Sequence, residues 1–443
     1  MPVRAVSVAP HAPSLRAWSL RFRGFPALPS VVSPVAGFAL AALLIIARRP
    51  DAVTHAQFWA EDGSVFYPNV YNHGLLATLA VPVAGYFDTF GVLAAGASRL
   101  VSLSAAPLVS NLLAIAAQAL PVGLLLSRRA GGLASDVRVR VLLAALYLAL
   151  PGGAETVGTA VNAQWHLAVA AAIVLFLTPP ARGGERLLDT GVLLLAGLSG
   201  PFSILLAPLA WPVRRLRPER LPAFKPLVLS ACAAIQILSL AVFSHQAHPG
   251  FALVTRMHPA LGANVEDLVR LIGGKTLLAP LVGEAAALSQ STAALLVVGM
   301  LGLLGCAWLL WRGSLELRVF LIFGLAVLAV SLWRPQLSSP AWSVLAARGG
   351  GERYFLIPHL SVLAAMAWAA CCARTRIARL AAVGLLASFA LLAVPAGWSY
   401  PALTPTGFAA KAAAFEHSRA GTLWRFRVNP VSEGKFELVL RKR

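Results

Sequence analysis

Apolar stretches of similar length recur from one end of the chain to the other, separated by short polar segments. They cover residues 31–47, 107–127, 141–150, 165–177, 226–243, 292–311, 319–332, 355–373 and 380–394. A helix crosses a bilayer with roughly 20 apolar residues, and these runs are near that length. Region 191–211 is apolar too, but Gly197, Gly200 and Pro201 interrupt it. It predicts either a hairpin of two short helices or one kinked helix. Non-helical backbone at membrane depth is tolerated only where protein or water covers it, so a hairpin break there would face a cavity. The pattern predicts an all-α integral membrane protein with about 9–11 transmembrane helices.

Beyond residue 396 the periodicity changes. Residues 409–417 have helical character, while 422–428 and 436–440 alternate. Asn429-Pro430 and Glu433-Gly434 are turn signals. This reads as a short helix and a small β-hairpin, the alternative being a frayed terminus. Three regions follow: a basic N-terminal segment, 1–30; a transmembrane domain, 31–396, with its first outer loop over 48–104; and a small tail, 397–443. The first apolar run ends without a small-x-small cleavage site, which predicts an uncleaved first span.

Composition removes the soluble alternative. The chain has 443 residues, 58% hydrophobic and 12% charged, with a mean hydropathy of +0.75. A soluble domain carries about 25% charged residues. The net charge of +20 suggests nucleic acid only until its distribution is read. The basic residues sit in short clusters between apolar runs: Arg128 and Arg129, Arg138 and Arg140, Arg214 to Arg217, Arg374 to Arg379. That is the positive-inside pattern of loops at an anionic membrane face, so no nucleic-acid partner is expected. It puts the N-terminus in the cytoplasm of a bacterial inner membrane and the C-terminus outside. Arg48 and Arg49 break the pattern. Cys232, Cys306, Cys371 and Cys372 all lie in apolar runs, without metal-ligand or disulfide spacing.

With that orientation the outer loops are long and hold most of the 17 acidic residues. Every histidine except His11 lies in or beside them. Any chemistry is expected on that side. The first outer loop contains Glu61 and Asp62, followed by Tyr67, Tyr71 and His73. Neighbouring acids diverge on a helix, so one can face a cavity while the other organises the loop. A carboxylate there could act as general base or help hold a divalent cation; an ordinary exposed turn is the alternative. Residues 84–103, with Asp88 near the start, read as a surface amphipathic helix. Asn162, Gln164 and His166 stand at the mouth of a span and suit sugar hydroxyls. Trp165 beside them is a common interface anchor. Arg353 could grip a phosphate bidentately or snorkel to the headgroups. Lys275 and Arg256 are weaker phosphate candidates.

Segments WAEDGSVF (59–66), AGYFDTF (84–90), NAQWHLA (162–168), GLSGPFSILLAPL (197–209) and GERYFLIP (351–358) resemble a bacterial group within the GT-C glycosyltransferases. Those membrane enzymes move a sugar from a polyprenyl-phosphate or -pyrophosphate carrier to an acceptor. The resemblance runs over most of the chain. It implies a polyprenyl-phosphate sugar donor and a glycan or lipid acceptor at the outer face of the membrane. Asp62, slightly ahead of Glu61, would be the catalytic or metal-holding carboxylate. Arg353 would bind the donor phosphate, and Asn162, Gln164, His166, Tyr67 and His73 would contact substrate. The acids stand as Glu-Asp, with no Asp-x-Asp, a departure from the family pattern that counts against metal dependence; a divalent cation is the one cofactor the reading leaves open. The competing functions are a transporter or flippase of lipid-linked saccharides and a non-catalytic envelope-assembly protein. Ion-coupled transporters carry ionisable residues within their spans, and these apolar cores are nearly free of them.

Overall fold

The computed structural model describes residues 33–243, 248–253, 257–431 and 436–443. The basic N-terminal segment, Arg256 and the Glu433-Gly434 turn lie outside the described residues. We label the α-helices of nine or more residues in chain order. They are α1 Pro34–Arg48, α2 Thr89–Ser98, α3 Ala106–Leu126, α4 Val137–Ala149, α5 Ala163–Phe176, α6 Gly183–Gly197 and α7 Phe202–Leu216. There follow α8 Phe224–Phe243, α9 Thr292–Arg312, α10 Leu315–Trp333, α11 Leu356–Cys372, α12 Arg376–Ser388 and α13 Phe408–Glu416. The strands are β1 Leu423–Arg427 and β2 Glu437–Arg441, paired antiparallel.

Over the described residues, each apolar run of the sequence is essentially helical. Among the described residues, six helical stretches are long and apolar enough to cross a membrane: α3, α8, α9, α10, the stretch containing α11, and α12 with its continuation to Gly397. The helices α1 and α5 are apolar but shorter. The chain is an all-α membrane protein with a small two-stranded sheet.

The core is built around α5. Every residue from Ala163 through Leu175 is buried, and a helix apolar on all sides must be enclosed by others. Its Ala168 and Ala170 to Ala172 are small enough for α3 and α6 to approach closely. By contrast α9 and α12 leave Leu301, Leu304, Trp311, Ile377 and Leu380 exposed, as expected of surfaces whose solvent is lipid.

The interrupted region is a hairpin. The two short helices α6 and α7 are joined at Leu198 to Pro201, where Gly200 takes φ +85°. Protein covers the break. Thr89 N–H donates to Leu198 O at 3.0 Å and Gly200 N–H to Phe87 O at 3.0 Å. The Gln236 amide of α8 donates to Gly200 O and Phe87 O, both at 3.1 Å. Segment 84–103 is therefore not a surface helix. Its helical part, α2, buries Phe90, Val92, Ala94 and Ala95 and packs on α3, because it roofs the hairpin.

Charged contacts separate the two ends of the bundle. At one end, Asp189 accepts from Arg129 at 2.8 and 2.6 Å and pairs with Lys225 at 3.1 Å. Arg217 pairs with Glu316 there. At the other end Arg48 donates to four carbonyl oxygens: Leu148, Leu150, Gly397 and Trp398. The ring of Tyr400 lies 4.6 Å from its guanidinium carbon. Arg49 donates to Ala154 O at 2.5 Å and Val157 O at 3.2 Å. Arg48 and Arg49 break the loop charge pattern because they are buried ties between elements and not loop charges.

The tail folds back on segment 48–104. Phe408, Phe415, Phe426, Leu438 and Leu440 share one apolar cluster with Phe58, Tyr67 and Leu103.

Candidate functional site

The segment 154–162, between α4 and α5, organises the polar centre at the Arg48 end. Asp62 opens a short π-helical stretch, Asp62–Phe66. Its carboxylate is 2% exposed and accepts one backbone N–H on each oxygen, from Ala160 at 2.9 Å and Val161 at 2.7 Å. From the same segment Glu155 takes the Arg353 guanidinium at 2.6 Å and the Arg353 backbone N–H at 2.7 Å. Arg353 also donates to Gln336 O at 3.0 Å and to the Tyr354 hydroxyl at 3.3 Å. These contacts fix the plane of the guanidinium.

Glu61 is half-buried and lies within electrostatic reach of Asp62, Asp88, Tyr86 and Arg353. Asp88 caps α2 by accepting from Gly91 N–H at 3.2 Å. Tyr86 hydrogen-bonds the Gln164 side chain. Asp62, Asp88, Arg353 and Tyr86 thus all lie within electrostatic reach of Glu61, near the hairpin break and the start of α5. Burial pushes the Asp62 carboxyl up to about 8, against the pull of its two amide donors, and the charges of Glu61 and Asp88 add to the rise. Burial likewise raises Asp88 to about 7, with Glu61 contributing. Acids held near neutrality in this way can exchange protons at working pH.

The backbone beneath the acids is strained. Ala60 has φ +42° and Ala84 φ +52°, a region costing a non-glycine residue roughly 1–2 kcal/mol. Ala60 is held there from the tail: its N–H donates to Asn429 O at 2.5 Å.

Not every sequence candidate lies in this centre. Gln164 does: Nε2 donates to Val161 O at 2.9 Å, and a Cβ on Gly200 would meet its Oε1 at 2.0 Å. Asn162 Nδ2 donates to Glu155 O at 2.7 Å, so it braces the segment from within. His166 sits below, inside the bundle, with Nδ1 2.8 Å from the Tyr147 hydroxyl and Nε2 3.3 Å from Thr156 O. Tyr67 packs between Phe58 and Tyr71 in the tail cluster. His73 is exposed, stacked on Phe251 at 3.9 Å and bonded to Gly250 O at 2.8 Å. Lys275 is tied to Glu284, Ala347 O and Gly350 O at 2.8, 2.9 and 2.8 Å. It lines a neighbouring cleft of about 480 Å³ with Gly152, Glu284, Glu352 and His359. Sequence reasoning passed over Tyr86, Asp88 and Glu155 as site members. Asp88 stood in a quoted segment, but only the packing of α2 on the hairpin brings it to Glu61.

Among the described residues no three His, Cys, Asp or Glu side chains form a set able to hold a metal ion. The three carboxylates do not fit a divalent cation.

No family model matches the chain, and no curated protein matches it. A match among solved structures is the oligosaccharyltransferase of Archaeoglobus fulgidus, determined tethered to an acceptor peptide containing the NVT sequon. Identity is 13%, the TM-score is 0.41, and the match covers 87% of this chain and 57% of that one. The chain therefore spans little more than half the length of that protein.

Proposed function

We propose that this chain is a GT-C-type membrane glycosyltransferase, moving a sugar from a polyprenyl-phosphate donor to an envelope glycan or lipid acceptor. The observation that carries the reading is Glu61 within electrostatic reach of Asp62, of Asp88 and of Arg353 at one end of a membrane bundle. Positive-inside charge favours placing this end at the outer face of a bacterial inner membrane, with the C-terminus on the same side.

Glu61 takes the base role and Asp62 the organising role, because both Asp62 oxygens already hold backbone amides. The acceptor hydroxyl gives its proton to the Glu61 carboxylate, and its oxygen attacks the anomeric carbon. The bond from that carbon to the phosphate oxygen breaks, and the phosphate leaves with the electron pair. Arg353 stabilises the developing charge. Gln164 and Tyr86 supply hydrogen bonds suited to sugar hydroxyls.

The test is in-vitro transfer from a polyprenyl-phosphate sugar by the purified full chain. Glu61→Gln is expected to lower turnover about 100-fold or more, in the range of general-base catalysis, at unchanged thermal stability. Asp62→Asn is expected to lower both stability and rate. Full activity in both variants removes the carboxylates from the mechanism. Movement of lipid-linked saccharide across liposomes without transfer replaces the proposal by the flippase reading.

A further inference from the structure

The guanidinium that the transfer reading gives to the donor phosphate is already occupied. Arg353 Nη1 donates to Glu155 Oε2 at 2.6 Å. Its Nη2 donates to Gln336 O at 3.0 Å and to the Tyr354 hydroxyl at 3.3 Å. A guanidinium grips a phosphate bidentately through two neighbouring N–H groups. Both terminal nitrogens of Arg353 are engaged. Gln336 O and the Tyr354 hydroxyl are neutral and can share the cation with a phosphate. The Glu155 carboxylate cannot share it without cost, because a second anion beside it meets like charge.

The surroundings of Glu155 allow this one contact to be exchanged. Its Oε1 accepts the Arg353 backbone N–H at 2.7 Å, and Glu352 Oε2 accepts the Ala154 N–H at 2.7 Å. Glu155 O accepts from Asn162 Nδ2 at 2.7 Å and from Thr159 Oγ1 at 2.8 Å. None of these ties uses Oε2, so the backbone stays anchored when that oxygen turns away. The side chains of Arg353 and Glu155 are 22% and 18% exposed, so a ligand can reach the pair.

We infer that Glu155 is a resident competitor for Arg353. Its carboxylate holds the guanidinium in the empty site, yields it to the donor phosphate, and takes it back as the polyprenyl phosphate leaves. The inference rests on the glycosyltransferase reading of Arg353. A bare, part-buried cation would hold the product phosphate as firmly as the donor. A carboxylate competing for it weakens both, and release of product then limits turnover less. Glu155 acts through Arg353 and is a positioning residue.

The experiment measures binding of farnesyl phosphate to the purified full chain in detergent, with farnesol as the uncharged control. Glu155→Gln is expected to bind farnesyl phosphate about tenfold more tightly than wild type, the scale of one charge-assisted hydrogen bond, with farnesol unchanged. A carboxylate that only supported the fold would weaken the site on removal or leave it as it was. Unchanged or weaker phosphate binding in folded Glu155→Gln therefore overturns the inference. If that variant fails to fold, Glu155→Asp decides. Its shorter carboxylate cannot hold the backbone N–H and the guanidinium together, and it is expected to tighten binding by a smaller factor. Unchanged or weaker binding there overturns the inference too. Arg353→Gln separates this inference from the reading beneath it. Wild-type phosphate binding in Arg353→Gln removes Arg353 as the phosphate ligand, and both fail. Weaker binding in Arg353→Gln without tightening in the Glu155 variants sinks this inference alone.

Discussion

Asp62 and Glu61 are neighbours in sequence with different environments. Asp62 turns inward and spends both oxygens on the amides of Ala160 and Val161, while Glu61 stays half-buried beside Asp88 and Arg353. The raised acids make folding stability depend on pH. Asp62 sits at about 8 and Asp88 at about 7 in the folded chain, against roughly 3.9 for a free aspartate. The folded state holds these protons more tightly than the unfolded one. Their contribution is complete below the unfolded value and is lost as pH rises through about 7 and then about 8. Thermal unfolding in detergent is expected to move to lower temperature between pH 6 and pH 9. Asp88→Asn keeps the helix cap, since asparagine caps as well as aspartate, but cannot ionise. It should flatten the part of the decline below about pH 7. The same slope in the variant as in wild type would show that Asp88 does not titrate there.

Among elements, the hairpin α6–α7 depends on ions at its base. Asp189, fully buried, joins α6 to Arg129 and to Lys225 of α8. Lys225 also donates to Val174 O of α5 at 2.7 Å. Removing one partner of a buried network leaves uncompensated charge and costs about 3–5 kcal/mol. Asp189→Ala is expected to destabilise by that amount in a denaturation series. Combining Asp189→Leu with Lys225→Met should recover part of it, because the pair is replaced and not broken. Strictly additive losses in the double variant would argue against coupling. The other end of the hairpin needs glycine: Gly200 combines a positive φ with the close approach of Gln164.

On the scale of the whole molecule, the tail and segment 48–104 stabilise each other. Glu416 accepts Leu103 N–H at 2.6 Å and Asp51 accepts Leu403 N–H at 2.7 Å. Ala60, next to the acids, is strained against Asn429. A chain ending at Pro401 would expose Phe58 and Tyr67 and free Ala60. Limited proteolysis is expected to cut between residues 55 and 104 several-fold faster in that variant, with the long helices still protected. Unchanged protection of the loop would show that the tail is not its support.

Alternation and run length by themselves determined the helices and the tail hairpin. These depend on local periodicity and on the transfer cost of charge, which a sequence carries directly. The break at Gly197 to Pro201 was legible for the same reason, since glycine and proline act locally. Which acids meet was not legible. Asp88 reaches Glu61 only because α2 roofs the hairpin, through bonds such as Thr89 N–H to Leu198 O at 3.0 Å. Tyr67 and His73, close to the acids in sequence, are drawn off by the tail cluster and by Phe251. His166 turns to Tyr147 because α5 is enclosed on every side. Side-chain partners separated by a hundred residues are set by how helices pack, and only the tertiary structure decides that.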